Sequence, residues 1–235
     1  MNNELIPYVI EKNGTSGERS YDLFSRLLKD RIIMIQGEVT DASMNIAVGE
    51  LLFLNNQDKE KPIFMYINSP GGSVHAGMQL VDTMNFIKAP VYTIALGMAA
   101  SMGAVILSAG EKGHRYAMKS SSILVHPMSG GTQGRTRDSI IDMNNEKKLE
   151  KYLIAVLANN CGKMSDKARA EIESVIGMLN IKDPNMVLKF SKDTEKELET
   201  FNIDYDYDHW MLPPEALKFG VIDKILEHEG DEQND

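Results

Sequence analysis

From residue 31 onward, short apolar runs alternate with amphipathic segments, and this alternation limits the possible fold more than any other feature. RIIMIQG (31–37) has the composition of a buried strand, and DASMNIAVGELLFLNN (41–56) places apolar residues at helical spacing. Such alternation is typical of parallel crossover units and predicts an α/β fold whose sheet is covered on both faces. The pattern further predicts strands at 62–69 and 90–97, two strands within 115–127, helices at 72–88 and 101–110, and a closing helix, a stop at Gly220 and a last strand.

The second half of the chain departs from this alternation. A long helix is predicted over 137–163, and residues 164–203 after it are charge-rich, helical in pattern and broken by Asp183-Pro184. This composition indicates a helical lobe added outside the alternating core. The polar tails at 11–20 and 228–235 are expected to be mobile.

Charge and composition exclude several classes of protein. The formal net charge is −9 and no run of Lys or Arg stands out, which argues against a nucleic-acid-binding protein. The single cysteine, Cys161, permits no internal disulfide and favours a reducing compartment. The sequence has no secretory signal pattern and no apolar run long enough to span a bilayer. We therefore expect a soluble, cytoplasmic protein that does not bind a membrane.

The stretch GMAASMGAV (97–105) follows a predicted strand and carries one hydroxyl, that of Ser101. Ala99-x-Ser101-x-Gly103 is close to the G-x-S-x-G elbow, which exposes a nucleophilic serine between a strand and a helix. The backbone N–H of Met102 would then be an oxyanion donor. Small residues at this spacing also occur where a helix packs closely, so the spacing by itself leaves both interpretations open.

A second glycine-rich junction, NSPGGSV (68–74), lies between a predicted strand and a predicted helix. Gly71 and Gly72 let the backbone approach a ligand closely, and their N–H groups could bind a carboxylate, a phosphate or an oxyanion. An ordinary tight turn explains the same residues.

A serine nucleophile needs a base and an orienting acid. His126 ends the strand SSILVHP beside a loop and is the best placed of the five histidines; His75 and His114 are more typical of solvated positions. Spacing does not choose the acid among 34 Asp and Glu residues. In DYDYDHWMLPP (204–214), alternation predicts an extended segment with Asp204, Asp206 and Asp208 on one face, although a solvated acidic loop is also consistent.

Several long motifs resemble the ClpP family, the proteolytic subunits of ATP-dependent Clp proteases. They are YINSPGGSVHAGM, TIALGMAASMGAVILSAGEKGHRYA, LVHPMSGGTQG and DYDYDHWMLPPEALKFGVIDKIL. The resemblance implies the ClpP/crotonase fold of repeated β-β-α units and a serine endopeptidase. It also implies seven-membered rings, two of them stacked, fed with unfolded protein by a Clp-type AAA+ unfoldase. The subunit itself would need no cofactor and no metal, because ATP is used by the partner.

The resemblance also assigns residues and regions. It makes Ser101 the nucleophile, His126 the base and Asp208 the acid, with Gly72 and Met102 as oxyanion donors and Gly71 beside them. Gly130 and Gly131 would pair with the substrate backbone. An ATPase-docking pocket would be lined by Phe64, Tyr66, Phe86 and Tyr116. The implied regions are an N-terminal axial segment (1–20), a head domain (21–136 and 204–227), a handle helix with the added lobe (137–203), and a flexible acidic tail (228–235).

Three departures from the family pattern are visible. His126 and Asp208 are 208 − 126 = 82 positions apart, whereas the family has about fifty, and the surplus coincides with 164–203. Tyr207 stands where the family usually has an arginine at the contact between rings, and HPMSGG replaces the usual amide and proline after the histidine. We hypothesise that the lobe enlarges or modifies the handle region, with effects on side pores or ring stacking.

Two other functions fit parts of the pattern. A crotonase-type enzyme would use glycine-rich turns to hold a thioester oxyanion, but it would not need a serine–histidine pair. A structural subunit that lends its ring to an active paralogue would be expected to lack a triad residue, and all three are present here.

Overall fold

A computed structural model of the chain describes residues 6–12, 17–131, 135–177, 190–205 and 207–228. The described strands are β1 Tyr8–Lys12, β2 Glu18–Asp22, β3 Ile32–Gln36, β4 Ile63–Ser69, β5 Val91–Ala100, β6 Arg115–Met118, β7 Ser122–Val125, β8 His209–Met211 and β9 Lys224–Leu226. The helices are α1 Leu23–Lys29, α2 Asp41–Gln57, α3 Val74–Phe86, α4 Met102–Ser108, α5 Thr136–Asn160, α6 Asp166–Gly177, α7 Lys192–Tyr205 and α8 Pro213–Phe219. The predicted order of strands and helices from residue 31 onward is confirmed.

The central sheet has seven strands and is parallel except at one edge. Its main path runs β3-β4-β5-β6-β9, and β7 pairs with β5 and, antiparallel, with β8. Helices α2, α3 and α4 connect the first strands, and Leu51, Leu80 and Ile106 on them are fully buried. Because β3, β4 and β5 are parallel, their carboxyl ends meet at one edge, where ligands bind in open α/β sheets.

Strand β5 changes its neighbour on one side near Gly97. On that side, residues before Gly97 pair with β6, whereas Met98 to Ala100 pair with β7. On the other side, β4 pairs with β5 both before and after Gly97, with a register shift between Ile67 and Ser69. Gly97 has a φ of 84°, which glycine adopts at little steric cost. The sequence predicted that this strand ends at Gly97. The strand instead continues through residues 98–100 and leads directly into Ser101.

The N-terminal region contains a hairpin that the sequence analysis did not predict. Strands β1 and β2 are antiparallel, with Tyr8 opposite Asp22 and Lys12 opposite Glu18. Asp22 then caps α1, because its carboxylate accepts from the N–H of Ser25 at 3.0 Å. Residues 11, 12 and 18–20, expected to be mobile, therefore belong to strands. Residues 13–16 and 229–235 of the predicted mobile tails lie outside the described residues.

The predicted lobe consists of α6 and α7, which pack against α5. Leu198 and Phe201 of α7 and Ile172 of α6 are buried in the same apolar core as Leu157 of α5. The predicted break at Asp183-Pro184 falls outside the described residues. The lobe is thus attached to the long helix by apolar packing.

Each lobe helix has its first turn held by a glutamate of the other. Ser165 caps α6 and donates its N–H and hydroxyl to Glu197 of α7, both at 2.7 Å. Ser191 caps α7 and donates its N–H and hydroxyl to Glu171 of α6. This reciprocal arrangement fixes the two helices to each other. No helix in the described ranges is long and apolar enough to cross a membrane.

Candidate active site

Ser101 lies on a sharp turn between β5 and α4. Its backbone has φ 56° and ψ −123°, and among the described residues only Arg31 and Ser101 combine a positive φ with a side chain. The N–H of Ser101 donates to the carbonyl of Leu124 on β7 at 2.9 Å, which anchors the turn. A conformation this rarely populated persists only where the surrounding structure imposes it, and such positions cluster at functional sites. The geometry supports the elbow over the packing interpretation of GMAASMGAV.

The SPGG turn lies directly beside Ser101. A Cβ on Gly71 would be 2.5 Å from the Ser101 Cβ and 3.0 Å from the Met102 nitrogen. The turn is held from its other side, because Val39 donates to the Gly71 carbonyl and accepts from Ser73, both at 2.8 Å. The absence of a side chain at position 71 therefore lets the turn approach the elbow.

The backbone N–H groups of this turn differ in availability. Gly71 donates to the Ser69 hydroxyl at 3.1 Å, and that hydroxyl donates to the Gly37 carbonyl at 2.6 Å. In the part of the chain that the structure describes, the N–H groups of Gly72 and Met102 donate to no other residue. The N–H of Gly71, which the sequence analysis grouped with the oxyanion donors, is thus already hydrogen-bonded to Ser69. The N–H groups of Gly72 and Met102 are the two that stay available to a ligand.

A small cavity joins these groups to His126. It measures about 50 Å³ and is lined by Ser101, Met102, Gly72 and His126 together with apolar side chains. His126 is half-buried at the end of β7. The sequence analysis did not predict the other lining residues, which come from helices (Val74, Val105, Leu153 and Leu157) and from the end of β7 and the loop after it (Val125, Pro127, Met128 and Ser129).

The antiparallel pairing of β7 and β8 fixes the backbone position of Asp208 relative to His126. Val125 pairs with His209, and Leu124 with Trp210. Continuing this ladder by one residue sets His126 opposite Asp208. In the described residues, neither a Ser101–His126 nor a His126–Asp208 hydrogen bond is present. Catalytic hydrogen bonds often tighten only when substrate binds.

The predicted row of three carboxylates is wrong. Helix α7 continues through Asp204 and Tyr205, whereas Asp208 lies beyond it, immediately before β8. Asp206 lies outside the described residues. Alternating acids and aromatics indicated an extended segment, but the helical pattern of the lobe continues farther than expected and separates Asp204 from Asp208.

The loop after His126 has no strand conformation in the single chain. Ser129, Gly130 and Gly131 are exposed and unpaired with any described strand, and residues 132–134 lie outside the described residues. A strand needs a partner ladder. The proposed pairing of Gly130 and Gly131 with substrate would supply one.

Three of the four predicted docking residues lie together. Phe64 and Tyr66 pack against a buried group that includes Tyr116, which has no exposed surface and so forms the base of the cluster. Phe86 lies elsewhere, at the end of α3, and is 83% exposed. His114, expected to be solvated, instead stacks on Tyr92 with ring centroids 3.9 Å apart and hydrogen-bonds the Tyr116 hydroxyl at 2.8 Å.

Comparisons with known proteins show the family of this chain. The model of the Clp protease family matches residues 15–182 and 178–229, and the two matched segments meet within the predicted lobe. The chain is also 41% identical over 224 residues to the ATP-dependent Clp protease proteolytic subunit of Ligilactobacillus salivarius (strain UCC118). That alignment covers 95% of this chain and 96% of the relative. The resemblance inferred from the motifs and the predicted fold class are therefore confirmed, and the chain belongs to the Clp protease family.

Proposed function

We propose that this chain is the proteolytic subunit of an ATP-dependent Clp protease, a serine endopeptidase that hydrolyses peptide bonds of unfolded proteins. One observation carries the proposal. A single cavity brings together the Ser101 elbow, His126 and the two backbone donors Gly72 and Met102. These are the groups that acyl transfer to a serine requires.

In the proposed mechanism, His126 takes the proton of the Ser101 hydroxyl as its oxygen attacks the peptide carbonyl. The N–H groups of Gly72 and Met102 hold the resulting oxyanion. His126 then protonates the leaving amine, which departs, and water releases the acyl group by the same steps. Asp208, opposite His126 in the β7–β8 register, orients the imidazole and stabilises its charged form.

The cavity walls suggest how substrate is held. Leu153 and Leu157 of α5 and Val125 of β7 form an apolar surface beside the serine, which suits an uncharged side chain next to the scissile bond. Gly130 and Gly131 would add a backbone ladder along the peptide, because neither carries a side chain that would obstruct it.

The proposed assembly follows the family. Subunits would form seven-membered rings, stacked in pairs as in the family, and receive unfolded chains from an AAA+ unfoldase. ATP would be used by that partner, so the subunit would need no cofactor. Phe64 and Tyr66 would present aromatic surface to the unfoldase, with Tyr116 supporting them from beneath, and the exposed Phe86 would add aromatic surface at the end of α3.

A fluorophosphonate probe tests the chemistry directly. We expect it to label Ser101 in the purified protein and to stop cleavage of a short fluorogenic peptide. Native mass spectrometry with and without an unfoldase would report ring size and partner binding. A protein that is not labelled, yet hydrolyses an acyl thioester, would contradict the proposal and favour crotonase-type chemistry. An assembled ring that never cleaves peptide or unfolded protein would favour a structural subunit.

A further inference from the structure

A second cavity lies beside the candidate active site, on the other side of Pro127. It measures about 330 Å³ and is formed between α5 and α7. Pro127 lines both this cavity and the one that contains Ser101, so the two are neighbours across a single residue. We call it the lobe cavity, because one of its walls is a helix of the added lobe.

The lobe cavity has an apolar floor. Ile154 of α5 and Leu198 of α7 line it and are only 9% and 5% exposed. Ile154 lies beside Leu153, which lines the active-site cavity. The long helix therefore contributes adjacent residues, Leu153 and Ile154, to the two cavities.

Charged side chains form the rim. Lys151 and Glu195 pair with each other at 2.6 Å and so balance in charge. The remaining rim residues are Lys147, Glu150 and Glu199, and none of them has an ion pair within the described part of the chain. The two carboxylates, Glu150 and Glu199, and the single ammonium group of Lys147 give the rim a net charge of −1.

An apolar floor below a negative rim suits a long side chain with a cationic tip. Lysine and arginine bury their methylene stems on apolar surface while the charged end stays at the edge. We propose that the lobe cavity is a substrate subsite that takes a lysine or arginine side chain of the peptide, at a position removed from the scissile bond. The inference rests on the proposed function and adds a specificity that the lobe confers.

A scan of substrate positions, measured with the full-length protein, tests this subsite. Internally quenched peptides with an alanine background would carry Lys, Glu or Ala at each position on both sides of one fixed cleavage site. We expect Lys at one position to raise kcat/KM about fivefold over Ala, which is the scale of a partly exposed ion pair, and Glu to lower it. The Glu199→Lys variant should bring the Lys-to-Ala ratio to one or below.

Two further variants make the test specific. Glu173→Lys introduces the same charge change at an exposed residue of α6 outside the cavity, and its Lys-to-Ala ratio should equal that of the native protein. Glu199→Gln removes the negative charge without reversing it. It replaces Glu199→Lys in the test if the Glu199→Lys variant disturbs the fold of the lobe. A ratio near one at every position in the native protein, or a ratio unchanged in both Glu199 variants, would overturn the subsite.

The failure of the subsite and that of the proposed function can be told apart. Labelling of Ser101 and cleavage of the all-alanine peptide report on the protease alone. If both occur and the scan is flat, only the subsite fails. If Glu199→Lys slows all peptides equally and changes the oligomer mass, a second copy of the chain covers the cavity, and the subsite is again overturned.

Discussion

Gly71 and Ser101 approach each other so closely that a Cβ on Gly71 would lie 2.5 Å from the Ser101 Cβ. The same atom would lie 2.7 Å from the Ala100 carbonyl oxygen. Both neighbours are fixed, because Ala100 and Ser101 belong to the β5–β7 junction. The turn can therefore bring Gly72 to the proposed oxyanion site only while position 71 has no side chain.

Substituting Gly71→Ala should lower activity by about 10²-fold, the scale of a displacement near 1 Å at a reacting centre. The φ of 92° adds backbone strain of about 1–3 kcal/mol. Peptidase kinetics and thermal unfolding measure the two effects. Gly49→Ala is the matched control, because it lies in α2 with open space around it and should be slightly more stable and fully active. Equal activity in both variants would contradict this account of the turn.

The strained turn at Ser101 predicts two inactive variants that differ in stability. Ser101→Ala should lose about 10⁶-fold in turnover, because the nucleophile is gone, while assembly persists. Ser101→Gly should be equally inactive but more stable than Ser101→Ala, since glycine adopts φ 56° without the strain of about 1–3 kcal/mol. Melting temperatures of the two variants test this order. A less stable glycine variant would show that the turn is not strained.

The register between β7 and β8 predicts the effect of changing Asp208. Asp208→Asn should reduce turnover by roughly 10⁴-fold, because the amide no longer stabilises the charged imidazole of His126. Substrate binding should change little, so the loss should fall on kcat rather than on KM. Asp142→Asn, an exposed position on α5, is the control and should keep its activity. An active Asp208→Asn enzyme would assign the orienting acid to another residue.

The reciprocal caps of α6 and α7 predict a lobe that loosens in acid. Hydrogen bonds from Ser191 and Thr194 hold the pKa of Glu171 below its usual value, and bonds from Ser165 lower that of Glu197. A lowered folded-state pKa stabilises the lobe above the ordinary glutamate pKa and loses that contribution as the pH falls through the folded value. The protection of amide hydrogens in α6 and α7, relative to the intrinsic exchange rate at each pH, should therefore fall below about pH 4.5.

A variant at neutral pH separates this effect from general acid unfolding. Glu171→Gln should show fast exchange in the lobe at pH 7, while the sheet stays protected. Glu173→Gln, on an exposed neighbour in α6, should exchange as the native protein does. Uniform exchange of lobe and sheet in every variant would mean that the caps do not control the lobe.

Burial predicts that Cys161 is unreactive in the folded chain. The apolar surroundings raise the pKa of its thiol to about 12, so the nucleophilic thiolate is nearly absent at pH 8. Iodoacetamide should therefore label Cys161 only after unfolding, which mass spectrometry would detect. Stoichiometric labelling of the native protein would show that the C-terminal end of α5 opens readily.

Much of the fold was predictable from residue patterns because local periodicity decides strand or helix. The buried runs at 62–69 and 90–97 and the amphipathic segment at 72–88 appear as β4, β5 and α3. The pattern failed where geometry depends on a distant partner. The hairpin of β1 and β2 has no strong apolar alternation, and the last turns of α7 replaced the expected extended segment around Asp204.

Ser101 and His126 could be singled out from the sequence because each follows a predicted strand, where sites of α/β sheets form. The sequence by itself determined these two candidates and the glycines that make the turn beside them possible. Only the tertiary structure decided the rest. The β7–β8 register set Asp208 opposite His126, the Ser69 hydroxyl occupied the Gly71 N–H, and α7 packed on α5 to form the lobe cavity. Each of these depends on contacts between segments far apart in the chain, which local patterns do not encode.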